Sequence, residues 1–266
     1  MKSSTIYGLI LGVISVGVGM LLKGASLSSL LNAPALLIIF GGTAAVLLTA
    51  YPFSSLKKLP VLIKIAIAEP KLLSKQEVIQ LFTEWATITR REGLLALESH
   101  VDEIDDEFLR NGMRMIIDGN DHDFVRDVLL EDIAAMEERH RNGAAMFTSA
   151  GAAAPTLGVL GAVVGLVAAL SQMEDVASLG ASIAAAFIAT LYGIFSGYVL
   201  WHPIATKLKQ ISMREVELKM MIVEGLLSIQ SGVSTLAIQQ KLSVFLSPAE
   251  RRGDEEGARY AQEEAN

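Results

Sequence analysis

The chain has 266 residues, of which 52% are hydrophobic and 19% are charged, and its formal net charge is −7. A soluble domain typically has about 25% charged residues, and here the charges are concentrated in 57–141 and 204–266. The absence of cysteine excludes disulfide bonds, and the acidic balance gives no indication of nucleic-acid binding. This segregation predicts a membrane protein with a sizeable water-exposed part.

Four stretches lack charged residues over a length that crosses a bilayer, about 20 residues for a hydrocarbon core of about 30 Å. The first stretch follows Lys2 and also fits a signal peptide, but a second apolar run begins soon after it and favours a helical hairpin. We therefore predict an all-α, polytopic membrane fold with four transmembrane helices. The predicted spans are 5–22, 33–53, 144–173 and 176–201.

Basic residues flank these spans unevenly, and cytoplasmic flanks are the basic ones. The connection 23–32 holds only Lys23, and the turn 174–175 holds no basic residue. We therefore predict that both termini and the loop 54–143 are cytoplasmic. The basic residues of that side are Lys57, Lys58, Lys64 and Lys71 after the second span, Arg139 and Arg141 before the third, and Lys207, Lys209 and Arg214 after the fourth.

The water-exposed segments read as helices. Ser74 followed by Glu77 forms a capping box, and Gly93 is expected to end or bend the helix that this box begins. A later helix begins at Asp121 or Asp123 and is expected to run into the third span. The predicted organisation is 1–53 for the first two spans, 54–143 for a cytoplasmic helical domain, 144–201 for the last two spans, 202–246 for cytoplasmic C-terminal helices and 247–266 for a disordered acidic tail.

Small residues recur along one face of both the third and the fourth predicted span. In lipid, such faces let helix backbones approach closely. They serve packing inside one subunit, contact with other chains, or both. Two long faces on adjacent spans exceed what one hairpin needs, so we expect them also to receive helices from other chains. The residues are Gly151, Gly158, Gly161 and Gly165 in the third span, and Ala181, Ala185, Ala189, Gly193 and Gly197 in the fourth.

Pro155 interrupts the third span, where it removes a backbone donor, so we predict a kink. The carbonyl of Gly151 then needs another partner in lipid, either Thr156 or a water molecule. Thr190 is the other hydroxyl expected to face inward. None of the four spans contains Asp, Glu, Lys, Arg or His. Either the protein moves no ions, or a partner helix brings the titratable group.

Motifs for enzymatic chemistry or metal binding are incomplete. The stretch 118–123 begins like a calcium loop, but His122 and Asp123 stand where a ligand and the turn glycine belong. Glu137 and His140 match one half of a di-iron motif, which has no second copy. We therefore predict no catalytic residue, no metal site and no cofactor, and we do not expect an enzyme.

Three segments, in this order, resemble one known family. They are RREGLLALE (90–98), APTLGVLGAVVGLVAAL (154–170) and FIATLYGIFSGYVLWHPIATKLK (187–209). From near residue 5 to about residue 245 the chain resembles the MotA-type stator subunits of the bacterial flagellar motor, in the MotA/TolQ/ExbB-like superfamily. The likeness is to those of Gram-positive bacilli.

The resemblance implies a homopentamer in the bacterial plasma membrane, arranged around two helices of a MotB-type partner. That partner would supply the membrane carboxylate and a peptidoglycan anchor. Proton flow through the complex would be converted into torque on a cytoplasmic rotor protein of the switch complex, which drives flagellar rotation.

The resemblance also implies roles for single residues. The third-span proline that couples protonation of the partner carboxylate to movement maps to Pro155, beside Thr156. The second family proline maps to Pro203, and the inward hydroxyl of the fourth span maps to Thr190.

The family's rotor-contacting charges map to Arg90 and Glu98, and the neighbouring Arg91 leaves open which arginine matters most. Exposed charges of this kind are usually only a solvated helix face. Sodium-type relatives tend to carry threonine at the position of Ala162, whose methyl group offers no oxygen to a dehydrated cation. This favours protons, although the hydroxyls of Thr156 and Thr190 keep sodium open.

Three alternatives remain open at this stage. The first is a sodium-driven stator subunit of the same family. The second is a TolQ- or ExbB-like energising subunit, although such relatives typically have three spans with the N-terminus outside. The third is a non-conducting membrane scaffold, for which substitutions at Pro155 would affect only folding.

Overall fold

The computed structural model describes residues 4–171 and 176–251. Within these residues every regular element is helical, which confirms the predicted all-α fold. The predicted outer turn at 174–175 and residues 252–266 of the predicted acidic tail lie outside the described residues. The chain divides into two compact units, Met1–Pro70 with Arg139–Ile211 and Lys71–Glu138 with Ser212–Asn266.

The helices are numbered in chain order. The first four are α1 (Ser4–Leu22), α2 (33–50, with a π-helical turn at Leu37–Gly41), α3 (Phe53–Leu56) and α4 (Leu59–Ile67). The next three are α5 (Lys75–Glu92), α6 (Glu98–Asp102) and α7 (Glu107–Ile117). The last three are α8 (His122–Leu170), α9 (176–230, with a π-helical turn at Ser196–Trp201) and α10 (Thr235–Ser243). Short 3₁₀ turns occupy Leu27–Leu30 and Leu94–Leu97.

In the part of the chain that the structure describes, four helical stretches are long and apolar enough to cross a membrane. Two of them are α1 and the stretch Leu27–Ala50, and the other two lie within α8 and within Leu179–Gln230. Helix α8 starts beside Asp121, whose carboxylate accepts the backbone N–H of Asp123 at 3.0 Å. The predicted continuation of this helix into the third span is therefore confirmed.

Helix α9 continues through Pro203 and ends at Gln230. The sequence predicts instead that the fourth span ends at 201 and that separate C-terminal helices follow it. A π-helical turn that ends two residues before Pro203 accompanies this continuity. In that turn the N–H of His202 donates to the carbonyl of Gly197, five residues back. Local π adjustments of this kind satisfy backbone groups that a proline leaves without a partner.

Polar side chains connect the helices of the first unit at their ends. The amide oxygen of Asn32 caps α2 by accepting the N–H of Ala35 at 3.1 Å. The hydroxyls of Tyr51 and Ser149 lie 2.8 Å apart. The hydroxyl of Thr5 donates to the carbonyl of Ala66 at 3.0 Å, which connects α1 to α4. Because α1 has no buried residue, its apolar surface is available to lipid or to other helices.

The second unit has a hydrophobic core of the kind found in water-soluble proteins. Both hydrogen bonds of the predicted capping box are present, since Ser74 accepts the N–H of Glu77 and Glu77 accepts the N–H of Ser74. Apolar residues of α5 then fall inward, and the rings of Phe82 and Trp85 meet edge to face at 5.5 Å. Gly225 leaves the space that Phe82 fills, because a Cβ built there would lie 2.6 Å from the ring.

The described start of the predicted acidic tail is helical. Ser247 and Glu250 form a second capping box, in which the carboxylate of Glu250 accepts the N–H of Ser247 at 2.7 Å. The guanidinium of Arg251 donates to the carbonyls of Val244 and Leu246. These local hydrogen bonds hold residues 247–251 as a capped helical turn, a signal that acidic composition alone conceals.

Candidate functional site

Helices α8 and α9 touch backbone to backbone in the part of the chain that is predicted to cross the membrane. A Cβ built on Gly193 would lie 2.7 Å from the Cα of Gly158 and 2.6 Å from the carbonyl oxygen of Ala154. Both glycines are buried. Any larger side chain at either position would separate the helices, so this contact exists only because both residues are glycine.

The same face continues toward the N-terminal end of α8. A Cβ on Gly197 would lie 2.8 Å from the carbonyl oxygen of Gly151 and 2.8 Å from the ring of Pro155. Helix α8 is continuous through this proline. The carbonyl of Gly151 is the group whose helical donor the proline lacks, so Gly197 brings the backbone of α9 against that freed carbonyl. Such a contact allows a weak Cα–H···O hydrogen bond.

Thr156 does not serve the freed carbonyl. Its hydroxyl donates to the carbonyl of Ala153 at 2.7 Å, and its side chain is exposed. A threonine hydroxyl readily bonds a carbonyl of the preceding turn of its own helix, and that local bond takes precedence here. The Thr156 hydroxyl, one of the two partners expected for the carbonyl of Gly151, therefore bonds elsewhere, and the backbone of Gly197 lies against that carbonyl.

Further toward the C-terminal end of α8, the helix pair is packed through alanines. A Cβ on Gly161 would lie 3.1 Å from the methyl group of Ala189, and one on Gly165 would lie 3.2 Å from that of Ala186. The third-span and fourth-span glycines thus meet each other's helix inside one chain. That these same positions also contact helices of other chains stays a prediction.

The remaining predicted pathway residues lie around this pair with different exposure. Ala162, Thr190 and Pro155 are half-buried, and Pro203 is exposed. Large apolar side chains of α8 also remain exposed, among them Val159 and Val163. Beside the small-residue face, an open cleft of about 250 Å³ is lined by residues that include Asn32, Gly161, Gly165, Ser182, Ala185 and Ala189.

Four features of α9 were missed by sequence reasoning. Ser196–Trp201 forms a π-helical turn, and π turns occur frequently at functional sites. In that turn the hydroxyl of Ser196 donates to the carbonyl of Tyr192 at 2.7 Å. The buried indole N–H of Trp201 has no acceptor among the described residues. The ring of His202 lies against Gly151. The available signal for these features was the dipeptide Trp201–His202 before Pro203, because its histidine directly follows the predicted span.

The predicted rotor-contacting charges all belong to the second unit. Arg90 and Arg91 occupy the last turn of α5, and Glu98 occupies the first turn of α6. Each sign is favourable for its helix dipole, and all three side chains are exposed. Gly93 separates the two helices with a φ of +84°, a conformation that glycine adopts without strain.

The acidic side of this region forms a surface cleft. An open depression of about 250 Å³ is lined by Glu98, Val101, Asp102, Arg114, Ile117 and Asp118. The guanidinium of Arg114 donates to the carboxylate of Asp102 at 2.6 Å. Among the described residues, no group of three or more His, Asp or Glu side chains is placed to hold a metal ion.

Within the described residues, four helical stretches are long and apolar enough to span a membrane, and two of them form a glycine-lined pair whose segments 144–170 and 179–201 lack acidic and basic side chains. These features define a multi-span membrane protein. Residues 100–221 match the model of the MotA/TolQ/ExbB proton channel family. The chain is 47% identical to motility protein A of Bacillus subtilis over the full length of both. The protein therefore belongs to the MotA/TolQ/ExbB proton channel family.

Solved structures agree with this assignment. The fold is similar to that of a chain in the flagellar MotAB stator complex from Bacillus subtilis, with a TM-score of 0.90 and 49% identity, covering 94% of this chain and 98% of that one. It is also similar to C. jejuni MotAB, with a TM-score of 0.88 and 33% identity over 93% and 97% of the respective chains.

Proposed function

We propose that this chain is the stator subunit of a flagellar motor that, with a MotB-type partner, forms a proton channel and converts ion flow into torque on the rotor. One observation carries the proposal. The α8–α9 pair packs backbone to backbone around Pro155, yet residues 144–170 and 179–201 contain no Asp, Glu, Lys, Arg or His. A proton pathway beside this pair needs a titratable group from another chain.

A MotB-type subunit is the partner that we infer. The two solved relatives described above are MotAB structures, one of them named as a stator complex. The partner supplies a membrane carboxylate near Pro155 and anchors the complex to peptidoglycan. Five copies of this chain surround two partner helices, and exposed apolar residues such as Val159 and Val163 provide surface for those contacts.

Pro155 is the coupling residue in this proposal. Protonation of the partner carboxylate changes its attraction to the polar groups beside it, which are the freed carbonyl of Gly151 and the hydroxyl of Thr156. Thr190 lines the same pathway from α9, and Pro203 marks the point at which α9 leaves the membrane. Movement at this pair passes along α8 and α9, which both continue as unbroken helices into the charged segments.

The charged segments are cytoplasmic in this proposal, as are both termini. The cytoplasmic part comprises 54–143 and 202–246, and the spans comprise 1–53 and 144–201. Arg90, Arg91 and Glu98 engage a rotor protein, which requires exposed side chains, and all three are exposed. In this proposal the protein transports ions, does not catalyse a reaction and uses no cofactor.

The transported ion is a proton in this proposal. Ala162 is half-buried in α8 and offers no oxygen ligand, whereas a dehydrated sodium ion requires several. The hydroxyl of Thr156 already donates to Ala153, although its oxygen can still accept. A sodium pathway would therefore depend, among the side chains of this pair, on the hydroxyls of Thr156 and Thr190.

Reconstitution tests the proposal. Vesicles that contain this chain together with its MotB-type partner are expected to conduct protons, and vesicles that contain this chain alone are expected to conduct nothing. Replacing sodium by potassium should leave the flux unchanged. Substantial flux from the lone chain, or flux that requires sodium, would contradict the borrowed carboxylate or the proton assignment respectively.

The TolQ- or ExbB-like alternative differs in topology and phenotype. A reporter fused to the N-terminus is expected to be cytoplasmic, and deletion of the gene is expected to abolish swimming. An external N-terminus together with normal swimming would favour the energising subunit. Normal swimming with a cytoplasmic N-terminus would favour a scaffold.

A further inference from the structure

His202 is the first acidic or basic side chain that follows the fourth predicted span, and it is stacked on the neighbouring helix. A Cβ built on Gly151 would lie 2.9 Å from each of three atoms of the His202 ring, Cγ, Cδ2 and Nδ1. Equal distances to three ring atoms mean that the imidazole lies flat on the backbone of α8. Only glycine at position 151 leaves room for this arrangement.

The location of this contact relates it to Pro155. Gly151 lies four residues before Pro155, so the ring covers α8 about one helical turn, roughly 5.4 Å along the axis, from the proline. The carbonyl of Gly151 is also the one that the proline leaves without its helical donor. His202 therefore lies beside the freed carbonyl, at the end of the pair that points toward the cytoplasm in our proposal.

The ring has two described neighbours and remains partly exposed. It faces the phenol of Tyr198 on its own helix, with centroids 5.4 Å apart, and the backbone of Gly151 on the facing helix. The side chain of His202 is only half-buried, so part of the ring stays open to its surroundings.

A proton that leaves a partner carboxylate near Pro155 passes to water or to a titratable side chain on its way to the cytoplasm. Imidazole is the side chain that binds and releases protons near neutral pH. Residues 144–170 and 179–201 offer no other acidic or basic group. Along α9, the next such residue after His202 is Lys207, which is paired with Glu69.

We propose that His202 is the proton acceptor at the cytoplasmic end of the pathway, an inference that rests on the proposed function. The partner's carboxylic acid loses a proton through water and becomes a carboxylate, while the neutral imidazole gains that proton at a ring nitrogen and becomes imidazolium. The imidazolium then releases the proton to cytoplasmic water and returns to its neutral form. No net change occurs in His202 over one cycle.

The test uses the whole complex with its MotB-type partner in proteoliposomes. His202→Gln keeps a polar side chain of similar size but cannot cycle a proton. Its proton flux is expected to fall by about 10²-fold, a typical contribution of a positioned proton-transfer group. The dependence of flux on the pH of the cytoplasmic side between about pH 5 and pH 8 is expected to flatten. His100→Gln, at an exposed histidine in the second unit, is the matched control and should behave as wild type.

A chemical rescue separates proton transfer from packing. His202→Ala leaves space against Gly151, and added imidazole is expected to restore part of its flux while having no effect on His202→Gln. Wild-type flux and an unchanged pH profile in His202→Gln would overturn the inference alone. Loss of flux that merely follows loss of co-purified partner, without rescue, would show a packing role and overturn it as well. A wild-type complex that conducts no protons would overturn the proposed function and this inference together.

Discussion

Gly158 of α8 and Gly193 of α9 face each other without a side chain between them, since a Cβ on Gly158 would lie 2.9 Å from the Cα of Gly193. Two helices that touch at this distance gain packing and backbone contacts that replace the missing hydrophobic driving force in lipid. The contact also aligns the rest of the pair, because Gly197 then meets Gly151 and Pro155 one turn further along. Position 193 therefore determines the geometry of the coupling region.

Replacing Gly193 by leucine is expected to separate α8 from α9. Overpacking of a close contact typically costs about 1–3 kcal/mol, and here the obstacle is backbone, which cannot rotate away. Co-purification with the MotB-type partner and swimming should both fall, while membrane insertion continues. Gly180→Leu on the same helix is the matched control, because a Cβ there meets nothing within 4 Å. Equal behaviour of the two variants would show that the Gly158–Gly193 contact is dispensable.

Pro155→Ala is expected to stop rotation without loss of the protein. The alanine restores an N–H that can donate to the carbonyl of Gly151, so the helix should be at least as stable in lipid. A proline that only shapes the helix would then be replaced without harm. A coupling proline predicts normal abundance, normal partner binding and little or no rotation of tethered cells. Near-normal rotation of this strain would remove the coupling role.

Reversing the charges of the second unit is expected to impair swimming. Arg90→Glu and Glu98→Lys place the wrong sign toward a rotor protein, whereas neutral changes should be mild, since exposed ion pairs contribute only about 0.2–1 kcal/mol. Arg91→Glu, measured alongside, tells which arginine matters more. A compensating reversal on the rotor should restore swimming. Glu84→Lys, exposed on the same helix α5, is the control and should swim normally.

The capping box of α5 predicts a dependence of stability on acid pH. Hydrogen bonds from Ser74 lower the pKa of Glu77 below its ordinary value of 4.5. A carboxylate whose pKa is lower in the folded state stabilises that state fully above the unfolded pKa, and this contribution disappears as the pH falls through the folded pKa. Thermal unfolding of the complex should therefore lose more stability in wild type than in Glu77→Gln as the pH falls from 4.5 through the lower pKa of the folded state. Parallel losses in both proteins would contradict this role of the cap.

The local features of this protein are determined by its sequence. Runs of spanning length without charge reflect the cost of placing a charge in hydrocarbon. Such a run can be recognised from consecutive residues alone. The cap at Ser74 and Glu77, the end of α5 before Gly93 and the continuous start of α8 near Asp121 likewise depend on contacts within a few residues. Helix α9 was divided too early because the compensating π turn before Pro203 has no comparable sequence signal.

Which small residue meets which was decided by the tertiary structure alone. Periodicity predicts which face of its own helix Gly158 or Gly193 occupies. It does not predict that the two residues lie opposite one another, because they are distant in the chain and their pairing depends on how two whole helices pack. The same holds for the ring of His202 on Gly151 and for the hydroxyl of Thr156, which bonds Ala153 in its own helix in preference to the freed carbonyl. Hydropathy is a sum over neighbours along the chain, whereas close packing is a property of pairs of residues in space. A glycine in the sequence indicates that another group packs closely against it, but not which group.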